Sequence, residues 1–327
     1  MTVLPLAPRP AERSAGWRRA LRHETLLALL LAVALAVLAS RSDRFLTPDN
    51  LLNQGRLMTE VGLISLAMTF VIVTGGIDLS VGSIVGMVAI CLGVLWKNAG
   101  LPLPLAIAAA LAIGTAAGLF NGLVITRFRV PPLIATLATL ALYRGIAEGV
   151  SEARSVRGYP DWFAALGQGA LLGVPCQLWL LGLAAVAAAA ALGLTVYGRT
   201  LYAIGANATA ARFSGLRVDG AILATYALSG FAAALAAVIL VSRVSTTRSD
   251  MGSGYELTAI TAVVLGGTSI FGGRGTVIGT VLGLVLMQAL NSGLSLAGVK
   301  GDGTVVLIGA ILIGAVLLAN LFRRDRG

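Results

Sequence analysis

The sequence has few of the residues that soluble enzymes use for chemistry. Its 327 residues include one histidine and two cysteines, and charged residues make up only 12% of the chain. His23 and the distant Cys91 and Cys176 cannot assemble a zinc site, and no serine has a histidine to act as its base. Neither Lys97 nor Lys300 stands in a phosphate-binding loop, so the chain is not expected to hydrolyse ATP. These absences remove most of the support for an enzyme, and no metal or cofactor is expected.

Hydrophobic residues, by contrast, make up 57% of the chain and form about ten long stretches. A hydrocarbon core of about 30 Å needs roughly 20 apolar residues per helix. The sequence therefore predicts an all-α, polytopic membrane bundle of about ten transmembrane helices with broken spans. The predicted spans are 24–40, 57–74, 79–96, 103–125, 133–150, 178–196, 220–241, 257–271, 276–297 and 304–321. The first and eighth are short, so either their helices extend beyond these bounds or they are broken within the membrane.

The chain has a net charge of +10, and all but two of its 24 basic residues are arginine. The arginines lie between the apolar stretches and at the chain ends. This distribution is typical of a protein oriented in a bilayer and argues against nucleic acid as a partner. With both termini in the cytoplasm, fourteen lysines and arginines fall on the cytoplasmic side and nine on the other. The predicted organisation is a cytoplasmic segment at 1–23, a transmembrane domain at 24–321 with a cytoplasmic loop at 197–219, and a cytoplasmic tail at 322–327.

A glycine-rich turn with a single acid interrupts the apolar stretches at 74–83. Gly76 and Gly82 permit backbone geometries that a continuous helix forbids, and Asp78 or Ser80 can cap the helix that follows. Two interpretations stay open: a plain cap at a tight cytoplasmic turn, or a mobile element of a gate. Gly76, Asp78, Ser80 and Gly82 are therefore candidate pathway or gate residues.

A second break, at 266–275, contains five glycines in ten residues. Each glycine would destabilise an uninterrupted helix by about 1 kcal/mol relative to alanine, so the run predicts a bend or a close approach of backbones. Gly267, Thr268 and Gly273 join the pathway or gate candidates. Two breaks at related places in the two halves suggest an internal duplication.

The cytoplasmic loop at 197–219 contains a short alanine-rich helix. Asn207 is a good N-cap and Gly215 a good stop, and a helix of two turns must dock on something to be stable. Arg199 and Arg212 lie nearby. Two interpretations stay open. The basic residues could hold the loop against anionic lipid headgroups, or the short helix could act as a lever that inserts into a cytoplasmic partner.

Ionisable residues inside spans require an explanation, because each costs a few kcal/mol to insert. Arg144 and Glu148 are four residues apart on one helix face, so the spacing predicts a structural ion pair. Glu60 and Glu256 fall near the outer ends of their spans, where solvation or capping and the lining of a pore are both open.

Several segments, in this order and spacing, resemble the permease subunits of bacterial ABC importers for monosaccharides, a family that includes ribose, xylose, arabinose, rhamnose and autoinducer-2 permeases. The resemblance covers about residues 45–320. The matching segments are Gly76-Ile77-Asp78-Leu79-Ser80-Val81-Gly82-Ser83, Gly198-Arg199, Tyr202-Ala203-Ile204-Gly205, Ala211-Arg212 to Gly215, Gly254-Tyr255-Glu256-Leu257, Val264-Leu265-Gly266-Gly267-Thr268-Ser269 and Gly272-Gly273-Arg274-Gly275. Residues 121–122, 129–137 and 143–145 are most similar to the rhamnose and autoinducer-2 branches.

The resemblance implies a multi-pass protein of the bacterial inner membrane that works with a second permease chain, identical or different. It also implies two cytoplasmic ABC ATPase subunits, which hydrolyse the ATP, and a periplasmic sugar-binding protein. Arg199, Gly205, Asn207, Arg212 and Gly215 would couple the chain to the ATPases. The implied substrate is rhamnose, another pentose or deoxyhexose, or autoinducer-2. The alternative is an ion-coupled secondary transporter for a small polar solute, for which Asp78 and a few acids near span ends are the only available relay.

Overall fold

A computed structural model describes residues 12–152, 154–299, 306, 309 and 310. Across these residues the chain is a helical bundle with one two-stranded hairpin, so the predicted all-α polytopic fold is confirmed. The elements are α1 (Glu12–Arg41), α2 (Pro48–Val73), α3 (Val81–Gly93, continued by a π-helical turn at Val94–Asn98), α4 (Leu103–Arg127), α5 (Pro132–Ser151), α6 (Asp161–Gln168), β1 (Ala170–Leu171), β2 (Val174–Pro175), α7 (Cys176–Leu194), α8 (Val196–Ala206), α9 (Ala208–Phe213), α10 (Val218–Val244), α11 (Tyr255–Leu265) and α12 (Val277–Leu296).

Eight helices in the described part of the chain are long and apolar enough to cross a membrane, and they correspond to eight of the ten predicted spans. The second predicted span begins too late, because Thr47 accepts a hydrogen bond from the Asn50 N–H and Pro48 starts α2 nine residues earlier than predicted. The tenth, 304–321, lies outside the described residues apart from three positions. The cytoplasmic placement of both termini stays a prediction.

The two short stretches have different explanations. Helix α1 extends on both sides of the predicted 24–40, so its length is sufficient for a crossing. Helix α11 has only 11 residues and ends at Leu265, so the predicted span 257–271 is wrong at its end. The chain leaves the helix there because Gly267 adopts a φ of +89°. The eighth stretch is therefore a short helix followed by an irregular turn.

Helices α2, α3 and α10 form the centre of the bundle. They carry most of the fully buried apolar side chains, such as Met68, Ile84 and Ala237. Helix α7 lies at the periphery, where Leu183 and Val186 are about 70% exposed in this chain. Exposed leucine and valine on a helix of this length indicate contact with lipid.

Small residues bring α4 and α10 together. Gly114, Gly118 and Gly122 recur every four residues along α4, and an added Cβ at Gly118 would overlap the Tyr226 carbonyl oxygen on α10. An added Cβ at Gly230 on α10 would likewise overlap the Gly114 carbonyl oxygen on α4. Stripes of small residues allow close packing of transmembrane helices, where apolar burial alone gives no preference for protein over lipid. This contact fixes the position of α10 beside the first break.

Two regions differ from the predicted organisation. The chain between α5 and α7 contains α6 and the β1–β2 hairpin, which the sequence did not predict. The predicted sixth span also runs too far, because Thr195 is extended and its hydroxyl accepts from the Gly198 N–H. That bond ends α7 at Leu194 and starts the separate helix α8.

Candidate functional site: a junction of three segments at one end of the bundle

The first break, residues 74–80, returns the chain from the end of α2 into the bundle. Gly75 adopts a φ of +82°, which favours glycine. Thr136 on α5 donates to the Ile77 carbonyl oxygen at 3.1 Å, and Tyr226 on α10 donates to the same oxygen at 3.4 Å. A Cβ at Gly76 would lie 2.6 Å from the Tyr226 hydroxyl oxygen. The break is therefore a packed segment held by two neighbouring helices.

Asp78 lies at the centre of this segment and is fully buried. Its Oδ1 accepts hydrogen bonds from the Ser80 N–H at 3.0 Å and the Ser80 hydroxyl at 2.7 Å. Its Oδ2 accepts from the Ser229 hydroxyl of α10 at 2.7 Å. Asn121 of α4 donates to Ser80 Oγ at 2.8 Å. The interpretation of Asp78 or Ser80 as a helix cap is wrong, because neither side chain accepts from the first turn of α3. Asp78 instead joins the break to α4 and α10.

The loop at 197–219 forms two helices with Asn207 between them. Asn207 Oδ1 accepts from the Ala210 N–H at 2.9 Å, so the predicted N-cap of α9 is confirmed. Gly215 follows the helix with a φ of +79°, consistent with the predicted stop. Helix α9 docks through Ala211, which packs against Ile204 and Val218. Its other face is open, and Phe213 on that face is 90% exposed.

The arginines of this loop lie on its surface. Arg199 is exposed, and Arg212 forms an ion pair with Asp219 in which both side chains are more than half exposed. Such a pair contributes about 0–1 kcal/mol to stability. Arg127 and Arg129, from the end of α4 and the residues after it, line a polar pocket together with Arg212 and Asp219. This end of the chain therefore presents a basic surface beside α9.

The glycine run 266–275 folds back on itself between α11 and α12. Gly267, Gly272 and Gly273 have φ values of +89°, +84° and +72°. The Ser269 N–H donates to the Arg274 carbonyl oxygen at 2.9 Å, which closes the turn. Thr268 is buried and its hydroxyl has no hydrogen-bond partner among the described residues. The bend that the sequence predicted is present, and it depends on the positive φ values of these three glycines.

The three motifs meet at one place. The Gly273 N–H donates to the Val73 carbonyl oxygen at 2.8 Å, which joins the glycine run to the end of α2. Gly205 of α8 lies against both, because an added Cβ would overlap the Val73 oxygen and the Gly273 nitrogen. The Tyr202 hydroxyl donates to the Gly275 carbonyl oxygen at 2.7 Å. We call Val73, Tyr202, Gly205, Gly273 and Gly275 the junction.

Some of the predicted site residues belong to the junction, and others lie elsewhere in the structure. Gly205 and Gly273 are in it, whereas Arg199, Asn207, Arg212 and Gly215 lie on the exposed loop and Asp78 and Ser80 lie in the buried network. Tyr202 stands in one of the segments that carry the family resemblance but was not predicted as a site residue, because the sequence does not indicate which group its hydroxyl contacts. Burial raises the pKa of the Tyr202 phenol, so the hydroxyl remains a donor to Gly275 at neutral pH.

The predicted Arg144–Glu148 ion pair is wrong. In the described residues Arg144 does not pair with Glu148; its guanidinium donates to the carbonyl oxygens of Ser249 and Met251, the latter at 3.4 Å. An ion pair does occur between the buried Glu60 of α2 and the partly buried Arg243 of α10, with Oε1 and Nε 2.8 Å apart. Helical spacing predicts partners only within one helix, whereas Glu60 and Arg243 lie on two helices and the partners of Arg144 lie on the turns between α10 and α11.

Replacing Gly273 with alanine tests which property of the glycine run matters. Alanine at a φ of +72° costs about 1 kcal/mol, and here the new Cβ would also lie 3.1 Å from the Ala206 nitrogen. Gly173, in the turn of the hairpin, is the matched control, with a φ of +78° and no atom within 4 Å of an added Cβ. We expect Gly273→Ala to lower the thermal unfolding temperature of the purified chain more than Gly173→Ala, and to reduce transport. Equal effects would show that backbone strain alone explains the glycine.

Comparison with known proteins identifies the family. Residues 50–316 match the family model described as a branched-chain amino acid transport system permease component. The chain belongs to this family. It is 38% identical to the ribose import permease protein RbsC of Escherichia coli (strain K12) over 307 residues, which cover 92% of this chain and 94% of that protein. It is also 38% identical to the autoinducer 2 import system permease protein LsrD of Escherichia coli (strain K12) over 308 residues, covering 92% and 91%. No solved structure matches the chain.

Membership of this permease family confirms the resemblance drawn from the motifs. The chain is a permease subunit and a multi-pass protein of the inner membrane, consistent with its eight apolar helices. The matched region includes the first break, the loop with α8 and α9, and the glycine run, so every segment of the junction lies within the shared part of the permease.

Proposed function

We propose that this permease forms the translocation path for a monosaccharide or a closely related small polyhydroxylated solute in an ATP-binding cassette importer. The observation that carries the proposal is the 38% identity to both a ribose and an autoinducer 2 import permease over nine-tenths of the chain. Candidate substrates are ribose, rhamnose or another pentose or deoxyhexose, and autoinducer-2. ATP hydrolysis takes place on separate cytoplasmic subunits, and a periplasmic binding protein delivers the solute to a pair of permease chains.

The exposed face of α9 is the proposed contact with the ATPase. Phe213 offers an apolar side chain that is 90% exposed, and Arg212 adds positive charge beside it. A short capped helix with one docked face and one open face is suited to insertion into a cleft on a partner. The permease domain at 24–321 would therefore receive its driving force through the loop at 197–219.

The junction is the proposed route by which that force reaches the path. Movement of α9 shifts α8, to which it is joined at Asn207. Gly205 of α8 has no free space against Val73 and Gly273, so α8 cannot shift without displacing the end of α2 or the glycine run. The break at 74–80 and α11 are the segments attached to those two points. Their displacement would change the side to which the path opens.

Reversing the charge of Arg212 tests the proposed contact. We expect Arg212→Glu to lower uptake by more than about tenfold while the chain remains folded in the membrane, because the exposed pair with Asp219 contributes little to stability. The double variant Arg212→Glu, Asp219→Arg restores the internal ion pair without restoring the basic contact. Recovery of uptake in the double variant would assign Arg212 to the internal pair and would remove it from the proposed interface.

The substrate is tested by uptake of labelled sugars into cells that lack this chain and into the same cells carrying it. Labelled ribose, rhamnose and autoinducer-2 are compared, with a labelled branched-chain amino acid as the contrasting solute. We expect one of the first three to enter only when the chain is present. Uptake of the amino acid alone would contradict the proposal and assign the chain to the transport of amino acids.

A further inference from the structure

A stripe of glycines on α3 faces the non-helical segment between α10 and α11, which consists of turns at 249–254. Gly82, Gly86 and Gly93 are separated by four and seven residues, so they share one face of the helix. A Cβ at Gly93 would lie 3.1 Å from Thr247 Oγ1, and one at Gly86 would lie 2.6 Å from the Ser249 carbonyl oxygen. A Cβ at Gly82 would overlap the Gly252 carbonyl oxygen. Residues 247–252 therefore run along α3 in the opposite direction, with their backbone in the groove that the glycines leave.

The depth of this stretch follows from α3 itself. Trp96 and Lys97 end the helix; Lys97 is exposed and donates to the Arg157 carbonyl oxygen at 2.6 Å, as expected at a membrane surface. The rise of an α-helix places Gly86 about 15 Å from Trp96 along the axis, which is half of the hydrocarbon thickness. Ser249 and Met251 lie beside Gly86. The segment 249–251 therefore reaches the middle of the membrane.

Two features hold this non-helical segment in place and start a helix from it. Arg144 of α5 donates to the carbonyl oxygens of Ser249 and Met251. These hydrogen bonds satisfy backbone acceptors that lie outside any helix or strand. Gly252 and Gly254 have φ values of +75° and +85°, and α11 begins at the next residue. Helix α11 is therefore a half-helix that begins within the membrane.

One side of the segment is open and charged. The side chains of Arg248 and Asp250 form an ion pair, with Nε and Oδ1 2.9 Å apart, yet they are 61% and 60% exposed. Ser253 and Gly254, which follow, are also exposed. An exposed ion pair at this depth cannot face hydrocarbon without a cost of several kcal/mol. Irregular backbone at membrane depth occurs where it is buried in protein or lines a water-filled cavity.

We propose that residues 248–254 and the start of α11 form a wall of the translocation path, at which Arg248 and Asp250 hydrogen-bond to the passing solute. The pair offers donors and acceptors and carries no net charge, so it fits a neutral, polyhydroxylated solute better than an anion or a cation. Arg144 is a positioning residue that fixes the wall. This assignment of the ligand rests on the proposed sugar import, whereas the aqueous wall rests on the geometry alone.

Water accessibility tests the wall directly. In a chain with Cys91→Ala and Cys176→Ala, single cysteines replace Asp250 or Ser253, and the assembled importer is labelled in open membrane fragments with a charged, membrane-impermeant thiol reagent. Leu183→Cys on the apolar helix α7, whose native side chain is 69% exposed, is the matched negative control. Arg154→Cys, after α5 and 83% exposed, is the positive control. We expect Asp250→Cys and Ser253→Cys to react at least about tenfold faster than Leu183→Cys, because the reactive thiolate requires water.

Reaction no faster than that of Leu183→Cys, in variants present in the membrane at wild-type amounts, would overturn the proposal and assign this face to contact with lipid or with a second permease chain. Uptake of labelled D-ribose by Arg248→Gln and Asp250→Asn tests the solute contact separately. We expect each to reduce uptake by more than about tenfold at wild-type abundance. Rapid labelling of Asp250→Cys and Ser253→Cys, together with no uptake of sugar by the wild-type importer, would support the aqueous wall and overturn the sugar assignment.

Discussion

Replacing Asp78 with alanine is expected to lower the free energy of unfolding by about 2–5 kcal/mol and to deplete the chain from the membrane. The carboxyl group accepts three hydrogen bonds, two from Ser80 and one from Ser229, at a fully buried position. Alanine leaves the Ser80 N–H and two hydroxyl groups without their acceptor. The measurement is the thermal unfolding temperature of the purified chain, together with its abundance in membranes.

Two milder variants control this prediction. Asp78→Asn retains an oxygen that can accept from the Ser80 N–H, and Ser229→Ala removes one hydrogen bond from the network. We expect both to be less destabilising than Asp78→Ala. An Asp78→Ala chain as stable as Ser229→Ala would show that the network contributes little, and Asp78 would return to the set of gate candidates whose loss slows transport without affecting the fold.

Replacing Gly205 with alanine is expected to abolish uptake. The new methyl group would overlap the Val73 carbonyl oxygen and the Gly273 nitrogen, so α8 must move away from both or the hydrogen bond between them must break. Overpacking of this kind costs about 1–3 kcal/mol, which a large bundle survives. We therefore expect a folded chain whose ATPase partner still binds and hydrolyses ATP but no longer drives transport. Uptake and ATP hydrolysis are measured in the same preparation.

Gly193→Ala is the matched control for Gly205→Ala. Gly193 lies near the end of α7, and an added Cβ there meets no atom within 4 Å. We expect this variant to transport at the wild-type rate. If Gly205→Ala did the same, the close contact of α8 with α2 and the glycine run would have no part in coupling.

The sequence predicted the features of this permease that depend on neighbouring residues. Apolar stretches located the helices, and the side chain of Asn207 and the glycine at 215 located the ends of α9. The glycine run was correctly identified as a bend. Each of these depends on propensity or capping within a few residues. Local chemistry is enough for them.

Contacts between distant segments could not be predicted in this way. The hydrogen bond from Gly273 to Val73 joins residues 200 positions apart, and it uses backbone atoms that carry no sequence signal. The spacing predicts the acid one turn away as the partner of Arg144, but its partners are carbonyl oxygens on the segment between α10 and α11. The sequence left Asp78 as either a local cap or a gate element and did not indicate Ser229 as its partner, because that residue of α10 becomes a neighbour only when Gly114 and Gly118 bring α4 and α10 together.

We propose that a separate ATPase drives a sugar through this chain. The most direct measurement uses proteoliposomes that contain the permease, its ATPase and its binding protein, with labelled ribose outside and ATP supplied to the ATPase. We expect ribose accumulation that requires hydrolysable ATP and is unaffected by an uncoupler. Accumulation that continues without ATP and collapses when the uncoupler is added would contradict it, and would identify the chain as an ion-coupled secondary transporter.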